Sequence, residues 1–150
     1  MTEHFTRTVI AGWGDMDFNG HMRNTAYLDK SGDVRMMFFA SHGFAMSEFV
    51  RLRIGPVVMK DEVEYFKETN MLEEISVKLM SAGMSDDGSR FRIRNEFYRH
   101  DGKLAARVTS TGGWLDLAQR KLIAPPPALL DAMRNLQHSD DYQVLPGSVK

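Results

Sequence analysis

The stretch DMDFNGHMRNTAYLD, Asp15 to Asp29, decides how this chain is read. It opens with two acids, an amide and a glycine within six residues, and it closes as the start of an uninterrupted helical pattern. Before it lies FTRTVIAGW, Phe5 to Trp13, rich in β-branched and aromatic types and ended near Gly12, which reads as a short strand. After it, from Asn24 to about His42, no proline occurs, and Tyr27, Val34, Met37 and Phe38 predict a helix with a wide apolar face. Such a helix is about 27 Å long. Gly32 costs it about 1 kcal/mol relative to Ala, and the favoured reason is a closely packed sheet that needs the space.

Further along, KETNMLEE (67–74), SDDGS (85–89) and HDGK (100–103) are hairpin signals. Between and around them VVMKDEVEYF (57–66), ISVKLMSAG (75–83), RFRIRNEFY (90–98) and LAARVTSTGGWLDL (104–117) predict four strands in meander order. Arg90, Arg92 and Arg94 alternate with apolar residues and read as a solvated sheet face, the alternative being contact with phosphates. PPPALLDAMRNL (125–136) predicts a short amphipathic helix started by Pro127, with Leu129, Leu130, Met133 and Leu136 on its apolar side. The expected organisation is an α+β fold, one sheet with one helix across it, in a single domain over 1–136 followed by a loose polar tail over 137–150.

Composition narrows the function. The 150 residues are 43% hydrophobic and 26% charged, enough for a core, and the formal charge of -1 without a basic run argues against nucleic acid as partner. No apolar stretch approaches the roughly 20 residues of a membrane span and MTEHFTRT lacks a secretory core, so a cytoplasmic location and no membrane partner are expected. The absence of cysteine removes disulfides, thiolate metal sites and cysteine nucleophiles.

Asp15, Asp17, Asn19 and Gly20 match the first half of a calcium loop, but its ninth and twelfth positions fall on Arg23 and Ala26, which offer no oxygen. His21 with Asp15 and Asp17 has no further ligands at recognised spacing, so no metal is expected. A GxSxG elbow, HExxH and a phosphate loop are all missing. What remains is a carboxylate, Asp17, in a loop that runs into a helix N-terminus, whose free N–H groups can polarise a carbonyl and stabilise an oxyanion. An aspartate is ionised at neutral pH and can attack without special tuning. Such sparse machinery suits a thioester, whose leaving thiol has a pKa of about 8.5. The competing reading of Asp17 is an Asx-turn or helix cap.

The residues WGDMDFNGHMRNTAYL, Trp13 to Leu28, with Asp33 and Arg35 beyond, resemble the hotdog-fold acyl-CoA thioesterases of the 4-hydroxybenzoyl-CoA thioesterase-like superfamily. The core of the match is D-x-x-G-H-x-x-N-x-x-Y. The resemblance implies a hotdog fold, an antiparallel sheet of five or six strands wrapped around one long helix, and a homodimer or homotetramer with active sites at the dimer interface. It implies hydrolysis of an acyl-CoA without a cofactor. Asp17 falls on the catalytic carboxylate and the backbone N–H near Asn24 on the oxyanion donor; Asn24 is also a candidate helix cap. His21 either orients the carboxylate or water, or is a loop histidine bonded to backbone. Gly20, Arg23 and Tyr27 are the candidate substrate-binding residues, although Tyr27 reads more readily as core packing and Arg23 as pointing to water. Asp33 and Arg35 read as structural. A second Asn of the family pattern is replaced by Arg23, and a hinge before the strand after KETNMLEE is missing. The rivals are a hotdog hydratase or dehydratase and a non-catalytic acyl-thioester binding module.

Overall fold

The computed structural model describes residues 1–147. The elements follow in the order β1 (Phe5–Ile10), α1 (Asn24–Ser41), α2 (Met46–Leu52), β2 (Ile54–Tyr65), β3 (Glu74–Ser85), β4 (Arg90–Tyr98), β5 (Leu104–Asp116), β6 (Lys121–Leu122), α3 (Pro127–Asn135) and β7 (His138–Leu145). One sheet holds all seven strands in the order β1-β3-β4-β5-β2, with β6 added to β5 and β7 to β3. Every pairing is antiparallel except β3 with β7. The helix α1 packs against β1, β3 and β5 of this sheet, as the resemblance implied, but the sheet has seven strands rather than five or six.

The core follows from alternation. Ile75, Val77 and Leu79 of β3, Phe91, Ile93 and Phe97 of β4, and Ala106, Val108 and Trp114 of β5 are buried with Tyr27, Val34, Phe38 and Phe39 of α1. Trp114 is enclosed by rings, with Phe39 and Phe49 at centroid distances of 5.4 and 5.9 Å. Met37, expected on the apolar face, is 42% exposed, and Phe39 takes the buried place.

Two hairpin signals form hairpins. At SDDGS the Asp87 carboxylate accepts the Ser89 N–H at 3.0 Å, and at HDGK Asp101 accepts the Lys103 N–H at 3.1 Å. The third does not: KETNMLEE connects β2 to β3, which are not neighbours, so the meander expectation is corrected. β2 instead closes the far side of the sheet against β5. Its run Lys60, Asp61, Glu62, Glu64 suits an edge, where charged side chains discourage stray pairing. A bulge at Met59 shifts the β2–β5 register, and a Cβ on Gly112 would stand 2.0 Å from the Val57 carbonyl oxygen, so only glycine admits this approach.

The expected loose tail is also corrected. His138–Leu145 runs parallel to β3, and Asp141 accepts two N–H bonds from Arg94 at 2.9 and 3.0 Å. Arg94 is therefore buried, not solvated, and Arg92 lies 3.9 Å from the same carboxylate. Alternation correctly placed the arginines on one face but carried no information about the strand that covers it. Residues 148–150 of that tail lie outside the described residues. Gly32 overturns its expected reason as well: α1 passes through it unbroken, and a Cβ there would meet nothing within 4 Å. The stretch between SHGF and Pro56, read as irregular, contains α2.

Candidate functional site

The loop after β1 is tied to itself at each step. A single 3-10 turn, Trp13–Asp15, leads into it. The Asp17 N–H donates to the His21 carbonyl at 2.7 Å and the Gly20 N–H returns to the Asp17 carbonyl at 3.1 Å. Gly20 sits at φ 76°, in the left-handed region where a side chain is strained. Further out, the Arg23 N–H donates to the Asp15 carbonyl at 2.8 Å and the Met22 N–H to the Thr69 carbonyl at 2.8 Å.

Asp17 is held by one oxygen. Its Oδ1 accepts the backbone N–H of Asn19 at 2.8 Å and of His21 at 3.1 Å, and Oδ2 has no partner among the described residues. The Asx-turn is thus present, and it fixes the carboxylate while leaving one oxygen free. His21 touches Asp17 through its backbone; its imidazole makes no hydrogen bond among the described residues.

A cleft of about 320 Å³ opens beside this loop, lined by Asp17, His21, Met22 and Tyr27 with Tyr65, Phe66, Lys67 and Glu68. Three of the candidate residues therefore share one cavity: Asp17, His21 and Tyr27. Gly20, Arg23 and Asn24 do not line it. Tyr27 is buried, its hydroxyl donates to Thr69 Oγ1 at 3.0 Å, and its ring meets those of Tyr65 and Phe97 edge-on at 5.7 and 5.2 Å. Burial pushes the phenol pKa of Tyr27 up, so it acts as a neutral donor. It is both core and cleft wall. Tyr65 to Glu68 escaped the sequence reading because they lie at the end of a strand remote in sequence, and no motif marks them.

Arg23 turns back onto the loop. Its guanidinium donates to the Gly14 carbonyl and its Nε to Thr25 Oγ1 at 2.8 Å, both bonds lying at the exposed surface. Arg23 also occupies the residue before the helix, with extended backbone, and Asn24 is the first helical residue, which corrects the expectation that Asn24 caps. The N–H groups of Asn24 and Thr25 donate to no backbone partner among the described residues, as expected for a first turn. Asp15 serves the loop: it accepts the Gly12 N–H at 2.8 Å and pairs with Lys30 at 3.0 Å. Burial works against its charge, but that N–H and the ammonium outweigh it and hold the carboxyl below the usual range. Arg35, on α1, is half-buried with its Nε donating to Asn95 Oδ1 at 2.8 Å, and desolvation lowers its pKa to about 10.

Residues 11–133 match the model of the Thioesterase-like superfamily. No curated protein sequence matches the chain. Among solved structures, a hypothetical protein from Staphylococcus aureus in complex with CoA is 21% identical with a TM-score of 0.80, over 91% of this chain and 87% of that one. A 1,4-dihydroxy-2-naphthoyl-CoA thioesterase from Synechocystis is 16% identical with a TM-score of 0.79, over 89% and 97% of the two chains. A DHNA-CoA thioesterase from Staphylococcus aureus is 19% identical with a TM-score of 0.78, over 87% and 89%. These likenesses establish the fold as the hotdog fold.

Proposed function

The chain belongs to the thioesterase-like superfamily, and on that premise we propose that it is a cytoplasmic hydrolase that converts an acyl-CoA to free acid and CoA. The observation that carries this reading is Asp17, bonded through Oδ1 to two backbone N–H groups and free at Oδ2, at the wall of a cleft that also contains Tyr27 and Tyr65. Oδ2 either attacks the thioester carbon, forming an anhydride that water then cleaves, or removes a proton from the attacking water. The unpaired N–H groups at the start of α1, beginning at Asn24, receive the developing oxyanion. The thiolate leaves without an acid, since a thiol of pKa about 8.5 is a good leaving group.

His21 acts in this scheme through its N–H on Asp17. Arg23 positions the loop, and Gly20 permits its turn. The free edge of β2, where Val58 and Met59 are about half exposed, supports assembly with a second copy, so that active sites form at a dimer interface, alone or within a tetramer. Among the described residues no helix is long and apolar enough to cross a membrane.

The test uses the absence of cysteine: a thiol reagent reports only released CoA. Wild-type protein releases thiol from at least one acyl-CoA and Asp17→Asn loses at least about a hundredfold in kcat. A variant with full activity, or a wild type that binds acyl-CoA and releases nothing, leaves the binding-module reading in its place. Single turnover in labelled water separates nucleophile from base, because only the nucleophile takes label into Asp17.

A further inference from the structure

The loop that presents Asp17 stands on one short segment. At its near foot Ala11 pairs in both directions, its N–H donating to the Glu73 carbonyl at 3.1 Å and its carbonyl accepting the Leu72 N–H at 2.6 Å. At its far foot His21 bridges Asn70, and the Met22 N–H donates to the Thr69 carbonyl at 2.8 Å. Both feet therefore rest on residues 69–73, which join the cleft wall at Glu68 to the start of β3. A shift of this segment reaches Asp17 from both ends of its loop.

The segment is strained. Leu72 sits at φ 66°, a left-handed conformation that a bulky residue rarely adopts, and it is 71% exposed, so packing of its side chain does not compensate. Glu73 is what holds the turn. Its N–H donates to the Asn70 carbonyl and its Oε1 accepts the Asn70 N–H, each at 3.2 Å, which closes the turn from both sides. Its Oε2 faces the turn between β4 and β5, where His100 Nδ1 donates to it at 2.9 Å and Arg99 Nε lies 3.4 Å away. Arg99 also donates through Nη1 to the Glu68 carbonyl at 3.3 Å. The Glu73 side chain is only 6% exposed. Burial works against its charge, but the Asn70 N–H, then His100 and Arg99, outweigh it and hold the carboxyl below the usual range.

We propose that Glu73 is a positioning residue for the thioester reaction: it locks the left-handed turn at Leu72, so that residues 69–73 form a rigid mount that sets where the Asp17 carboxylate stands. This rests on the thioester reading above. Glu73 does not line the cleft and acts through the backbone of the segment. Such a mount serves kcat, by keeping the reacting carboxylate in line, and leaves the binding of acyl-CoA alone.

The test measures thiol release for wild type, Glu73→Ala, Arg99→Met, and Glu73→Ala combined with Leu72→Gly, with amide hydrogen exchange on the same proteins. Glu73→Ala lowers kcat at least about tenfold and leaves KM within about threefold, the effect of a displacement on the order of 1 Å. It also speeds exchange at the Leu72 and Met22 amides. Arg99→Met keeps the stem of the side chain, removes the tie to Glu73 and Glu68, and acts in the same direction by less. Leu72→Gly, for which φ 66° carries no strain, raises kcat of the Glu73→Ala protein at least about threefold and slows both amides again. That recovery separates a mount from a field effect of the Glu73 charge, which a glycine at position 72 cannot replace.

A kcat of Glu73→Ala within about threefold of wild type overturns the proposal, as does a loss that lies in KM or that Leu72→Gly leaves unrepaired. If Glu73→Ala does not fold, Arg99→Met decides by the same kcat and exchange readings. Unchanged exchange at Leu72 and Met22 overturns the mount whatever the activity. If wild type cleaves no ester while exchange rises in Glu73→Ala and falls again with Leu72→Gly, the mount stands and the hydrolase reading fails.

Discussion

Tyr27 of the helix donates its hydroxyl to Thr69 Oγ1, 42 residues later, at 3.0 Å. The Thr69 carbonyl meanwhile accepts the Met22 N–H at 2.8 Å. One buried threonine therefore fastens both the start of α1 and the end of the Asp17 loop to the segment that walls the cleft. Thr69→Val preserves shape but leaves the buried Tyr27 hydroxyl without its acceptor. The expected loss is about 1–3 kcal/mol, seen as a lower urea midpoint at unchanged m-value. Tyr27→Phe, which removes the donor instead, costs less, about 1 kcal/mol.

Gly20 sits at φ 76° inside the turn that presents Asp17. Gly20→Ala must adopt the left-handed conformation or distort the turn, at a cost of about 1–2 kcal/mol. Gly20→Asn, which tolerates that region better, should retain more thiol release than Gly20→Ala. Equal activity in the two variants would show that the turn does not depend on backbone conformation.

Asp17→Asn and Asp17→Ala should differ in structure but not in rate. An amide oxygen can still accept the Asn19 and His21 N–H groups, whereas alanine leaves both bonds unmade. Amide hydrogen exchange at Asn19 and His21 should rise only in Asp17→Ala, while both variants lose at least about a hundredfold in kcat.

Asp141 holds β7 to the sheet across pH. The two Arg94 N–H bonds, and after them the Ser139 hydroxyl, depress its carboxyl far below the ordinary range. Because the folded value is the lower one, the contribution is complete above the unfolded pKa of about 3.9 and is lost as pH falls from there towards the folded value. The side chain is 53% exposed, so screening limits the effect to on the order of 1 kcal/mol. Asp141→Asn should be less stable than wild type by a constant amount between pH 7 and pH 5, the difference shrinking only in stronger acid. Hydrogen exchange over His138–Leu145 should show where the loss is felt.

Much of this protein was legible in one dimension, for local reasons. The spans of α1, α3 and β3 to β5 follow from the period of apolar residues, which depends only on neighbours along the chain. Asp17, His21 and Gly20 stood out because a polar loop between a strand and a helix start places carboxylate and N–H groups near one another by connectivity. β7 was missed because HSDDYQVL is too polar to announce a strand; its stability comes from Arg94, a partner more than 40 residues away.

Long-range packing decided the rest. β2 reads as the neighbour of β3, yet it pairs with β5, since the free edge of β5 and the tight approach at Gly112 accept it. Tyr65 to Glu68 become cleft walls only when that pairing carries the end of β2 to Tyr27. Gly32 looked from the sequence like a place of close packing, and in the fold it faces open space. By itself the sequence determined which residues could do chemistry and on which elements they sit, because periodicity and turn propensity act locally. Only the tertiary structure decided which of them share a cavity and what lies beside it, because the contacts that shape the cleft join residues far apart in the chain.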